Sequence, residues 1–189
     1  MRSSSTARAR ALVPTLIAIT CLLPGCRPPR APSSGPTAGS LSVAWTGTFA
    51  GRFSAPAEAR WCPGDTLVEI SAVRHDTAVG LTIAPVDSVR AGAYPVYPAS
   101  GFVAVRPQAG AALRWLAEVT VLPFEAERGM VTVTEGGTRR ISARVDARLK
   151  RADAADTVHL TGGFLHLELK PATGPCGRAN KPNRVDSAP

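Results

Sequence analysis

The chain has 189 residues, 44% of them hydrophobic and 19% charged, with 17 Gly, 17 Pro and only five Phe, three Trp and two Tyr. That is enough for one domain with chain to spare, which excludes a wholly disordered protein, and no apolar run reaches the roughly 18 residues of a membrane-spanning helix. The net charge of +8 lies at the ends, because residues 41–176 hold 14 basic and 13 acidic side chains, and this argues against nucleic acid as a partner.

Residues 1–25 read as a secretory signal. Arg2, Arg8 and Arg10 precede an apolar stretch from Ala11 to Leu23. At 1.5 Å per residue that stretch gives about 20 Å of helix against a hydrocarbon core of roughly 30 Å. Pro14 weakens it further. Leu23-Pro24-Gly25-Cys26 follows at once. This tetrapeptide resembles the lipobox of bacterial lipoprotein precursors: Leu23 takes the apolar position, Gly25 the small residue before the cleavage point and Cys26 the modified residue, while Pro24 departs from the usual pattern. The resemblance implies diacylglycerol on the Cys26 thiol, cleavage before Cys26 and acylation of the new amino terminus. Two or more acyl chains give stable anchoring where one gives marginal binding. Cys21 lies inside the apolar stretch behind Thr20, a poor residue before a cleavage point. Arg27, where Asp would retain some lipoproteins at the inner membrane, agrees with outer-membrane sorting of the enteric type.

Residues 26–40 carry the modified cysteine and then four Pro with no bulky apolar group, the composition of a semi-extended tether. Residues 177–189 are a basic tail of similar kind, expected to be disordered. Between them, 41–176 form an all-β domain, because the dominant period is two. Leu41, Val43, Trp45, Phe49 and Phe53 share one phase, giving one strand or two bent at Gly47 and Gly51. Leu67–Val73 and Val79–Ile83 make a hairpin around Arg74-His75-Asp76-Thr77. Tyr94–Pro98 is confined by its prolines to an edge, and Gly101–Arg106 is a short candidate strand.

Leu113, Trp115, Ala117, Val119 and Val121 alternate as one strand. Gly129–Thr134 and Arg140–Leu149 flank Glu135-Gly136-Gly137-Thr138, a hairpin signal, and the second arm turns Ile141, Ala143, Val145, Ala147 and Leu149 one way. In Thr157–Lys170 the apolar phase changes between Val158, Leu160 and Leu165, Leu167, Leu169, so Gly162-Gly163 is expected to carry a bulge. The expected architecture is an antiparallel sandwich or barrel of about eight or nine strands.

With Cys21 removed and Cys26 acylated, Cys62 and Cys176 remain as the pair for a disulfide in an oxidising compartment, closing the domain near its first and last strands. A metal site from two lone cysteines is not expected, nor is a cofactor. The chain contains no nucleophile elbow, zinc-protease helix or phosphate-binding loop. His159 and His166 are about 23 Å apart along an extended strand and read as solvent-facing, each with room for a cross-strand partner. His75-Asp76 reads as a turn, Glu125 and Glu127 as a loop beside Pro123, and Tyr94, Tyr97 and Trp115 as packing residues before an aromatic platform. The expectation is an envelope lipoprotein with a non-catalytic structural or binding domain, partnered by the membrane and by an envelope protein or small molecule. The alternatives are a barrel that carries an apolar ligand and an extracytoplasmic hydrolase.

Overall fold

A computed structural model describes residues 35–98, 105–117, 119–174 and 176. The signal, Cys21, Cys26, most of the tether, the 101–104 part of one candidate strand and the basic tail lie outside the described residues. Within them every regular element is a strand: β1 Ser40–Gly47, β2 Gly51–Cys62, β3 Leu67–Arg74, β4 Thr77–Ala84, β5 Gly92–Val96, β6 Gln108–Ala117, β7 Thr120–Glu135, β8 Arg140–Arg151 and β9 Thr157–Pro171.

The strands close a barrel in the order β1-β2-β3-β4-β6-β5-β7-β8-β9, with β9 returning to β1. Neighbours are antiparallel except for β5 on β6, which meet at Val96 and Ala109, and the end of β9 on β2, from Ala59 beside Leu169 to Trp61 beside Pro171. Closure removes the free sheet edges that would otherwise template pairing with other chains. It also makes the period of two a division between lumen and surface. Val79, Leu81 and Ile83 are buried, as are Ile141, Ala143, Val145, Ala147 and Leu149, whereas Arg144, Asp146, Arg148 and Lys150 face outward.

Two corrections to the sequence reading concern turns and facing. The alternation through Leu113–Val121 is two strands, because Ala117 pairs with Thr120 and Leu116 with Val121 across a hairpin. Strand β9 does not change phase at Gly162-Gly163. Phe164 still points inward and is fully buried, and Leu165 is 38% exposed instead of lying in the core with Leu167 and Leu169. The bulge sits at Leu165-His166, opposite Ser142, where the ladder jumps from Ile141–Leu167 to Ala143–Phe164. His166 carries it in the left-handed region at φ 50°. Gly162 and Gly163 serve close packing: a Cβ on Gly162 would press on the Ser42 carbonyl and one on Gly163 on the Ala143 carbonyl.

Turns gather at opposite ends of the barrel. At one end the Thr48 amide bonds the Thr157 carbonyl, Leu116 bonds Asp76 and Ala152 bonds Pro123, tying the β1–β2, β3–β4, β6–β7 and β8–β9 hairpins together. Here Trp45 and Trp115, from strands on different sides of the ring, approach to 6.4 Å between centroids, and Phe49 packs edge-on against Trp115 and Phe124. Aromatic contacts across the lumen fill it at this end. Cys62, Leu67, Ala84 and Cys176 form a smaller cluster at the other end.

Candidate functional site

Cys62 and Cys176 form a disulfide with Cα atoms 6.0 Å apart, as the cysteine count predicts. Glu69 brings a carboxylate within 4.8 Å of both sulfurs, but the sulfurs are bonded to each other and present no thiolate to a metal. Nearby, the Arg106 guanidinium donates to the backbone carbonyls of Asp65, Thr66 and Pro85 at 2.6, 2.6 and 3.0 Å. These bonds tie the β2–β3 loop to the segment after β4. Arg106 has no motif around it, so its structural role escapes a reading based on period.

Polar side chains converge on the outer wall of β7, β8 and β9 in two clusters. The first surrounds Ser142, one of two buried polar residues among those described. Its hydroxyl donates to Glu135 Oε2 at 2.7 Å and accepts the His166 backbone N–H at 2.8 Å, and His166 Nδ1 lies 2.8 Å from the same Glu135 oxygen. The Ser142 hydrogen bond, aided by that of His166, holds the Glu135 carboxyl below its ordinary pKa. Ser, His and Glu are the residue types of a hydrolase triad, but the connections differ. In a triad the imidazole accepts from the hydroxyl, whereas here the carboxylate takes both side-chain bonds. The cluster satisfies the polar groups that the bulge removes from the ladder. Sequence reading missed Ser142 because it lies on the outward phase of the alternation, where Glu135 and His166 cover it.

The second cluster lies further along the wall. His159 Nε2 is 2.7 Å from Asp146 Oδ1, and Arg148 Nε is 3.3 Å from Glu127 Oε2. Both histidines are about half exposed, as expected, and each meets a carboxylate that the alternation left open, Asp146 on the neighbouring β8 and Glu135 on β7. At the adjacent end, Arg151 bridges Asp153 and Asp156, and its guanidinium holds Asp153 below the ordinary pKa.

The remaining candidates do not converge. His75 occupies a turn at φ 52°, and Asp76 accepts from the Thr77 hydroxyl. Glu125 and Glu127 belong to β7 and not to a loop, with Glu125 opposite Lys150 and Glu127 at a second bulge. Tyr94 is buried with its hydroxyl bonded to the Arg90 backbone, Tyr97 is 37% exposed beside Ala109, and Trp115 stands at the hairpin end. Outside β3, β4 and β6, the small residues Ser71, Gly80, Gly110 and Ala112 leave a groove of about 290 Å³ bordered by Arg60, Glu69 and Tyr97. Comparison with protein-family models, curated proteins and solved structures found no match.

Proposed function

We propose that the chain is a bacterial envelope lipoprotein, acylated at Cys26, whose barrel is a non-catalytic structural or binding module held from the membrane by residues 26–40. The observation that carries the module reading is the division of the barrel wall. Trp45, Trp115, Phe49 and Phe124 meet across the lumen, and the polar groups lie outside, where a partner would be met. A carrier needs an unfilled apolar interior, and the ring contacts across the lumen weigh against it. A serine hydrolase of the triad type needs a hydroxyl and an imidazole bonded to one another, and Ser142 and His166 share a carboxylate instead.

The lipidation reading rests on Leu23-Pro24-Gly25-Cys26 behind a basic and apolar leader. Replacing Cys26→Ser removes the thiol that receives lipid and is expected to leave an unprocessed precursor retaining residues 1–25. Immunoblotting of fractionated cells reads this as a band of higher mass. A variant processed to the same size as the natural chain would contradict the proposal.

A further inference from the structure

The bulge in β7 puts two arginines side by side. Ala126 faces Leu149, yet Arg128 faces Arg148, so Glu127 is the extra residue. A regular ladder would set Glu127 opposite Arg148, an attractive pair. The bulge sets Arg128 there instead and leaves residues 127 and 128 both exposed. Like charges directly opposite one another destabilise a sheet, and bulges re-aim side chains beside functional sites. On the far side of Arg148 stands His159. Arg128, Arg148 and His159 therefore cross three adjacent strands at the ladder spacing of about 4.8 Å. They border a hollow of about 450 Å³ that also touches Gly129 and Asp146.

The two carboxylates of this region are engaged, Glu127 on Arg148 Nε and Asp146 on His159 Nε2. The Arg128 side chain makes no hydrogen bond or ion pair among the described residues. We infer that this hollow binds a phosphate ester. Guanidinium forks offer parallel N–H donors that match phosphate oxygens, and with Glu127 already on Arg148 Nε the fork of Arg128 is the one left open to them. The assignment deepens the binding-module reading and rests on it, since it names the ligand class met by the outer wall. Its failure is separable, because loss of this site leaves the processing of Cys26 unchanged.

The test is amide-resolved NMR on the full chain in detergent micelles, titrated with glucose 1-phosphate at constant ionic strength and, in a second arm, with nanodiscs containing phosphatidylglycerol. Glucose 1-phosphate is expected to shift the amides of residues 128–130, 146–148 and 159 saturably. Arg128→Glu is expected to weaken that binding at least tenfold without lowering Tm, and Arg128→Lys to retain part of it. Shifts at the same residues in both arms assign a site open to a lipid headgroup phosphate, and shifts with the soluble ester alone assign a soluble phosphate compound. Equal shifts from chloride, no saturation, binding undiminished in Arg128→Glu, or response to the nanodiscs alone would overturn the inference.

Discussion

Ser142 shows how one side chain closes an account opened by a bulge. The extra residue in β9 takes the His166 amide out of the regular ladder, and the Ser142 hydroxyl receives it while donating to Glu135. Ser142→Ala removes both bonds and is expected to cost about 1–3 kcal/mol, the usual penalty for stranding such groups. Urea denaturation checks this; an unchanged midpoint would mean that the hydroxyl is dispensable. The same bond gives a pH dependence with a definite sign. Glu135 has a lowered pKa in the fold, so its ionised form stabilises the protein above the ordinary carboxylate pKa, and that contribution is lost as pH falls through the lowered folded value. Melting between neutral pH and pH 3 is therefore expected to fall less steeply in Glu135→Gln than in the natural chain. Parallel curves would contradict it.

The strands themselves were legible where alternation met a turn residue. The hairpin at Gly136-Gly137, the reversal at His75-Asp76 and the bend between Gly47 and Gly51 all fall where the sequence marks them. The reversal between β6 and β7 was hidden because the alternation of Leu113, Trp115, Val119 and Val121 keeps its phase across it and no Gly or Pro marks it. The β9 bulge was misplaced for a related reason. Two glycines next to a phase change suggest a bulge, but here they admit the Ser42 and Ala143 backbones, and a histidine takes the strained backbone three residues later. The outer-wall clusters were partly legible: each histidine was placed correctly, but its carboxylate partner depends on cross-strand register, which alternation leaves open.

At this scale Gly162→Ala is expected to destabilise the barrel strongly, since the new methyl meets the Ser42 and Val43 backbone and φ is 145°. A Tm within about two degrees of the natural protein would refute the close-packing role. Val145→Asp buries a carboxylate in the lumen at a cost of several kcal/mol, whereas Arg144→Asp alters the outer face. Calorimetry is expected to separate the two by more than about ten degrees, and equal Tm values would reverse the assignment of faces.

For the whole molecule, the disulfide and the anchor act on different problems. The Cys62–Cys176 bridge spans 114 residues and enters stability mainly by restricting the unfolded chain, worth up to about 4.7 kcal/mol for a loop of that order. A Cys62→Ser/Cys176→Ser variant is therefore expected to melt lower while keeping its β-type circular dichroism, and the oxidised barrel to show no titratable thiol at either position. Rapid alkylation of either cysteine without reduction would contradict the bridge. The barrel packs aromatic rings across its lumen at one end and carries polar clusters on the outer wall of β7, β8 and β9, and the proposed lipid at Cys26 would hold that wall at the envelope within reach of its partners. Intact and N-terminal peptide mass spectrometry of the protein extracted from membranes tests this account most directly. It predicts a mature chain beginning at Cys26 with the added mass of diacylglycerol and an N-acyl group; an unmodified mature chain beginning anywhere beyond Cys26 would contradict it.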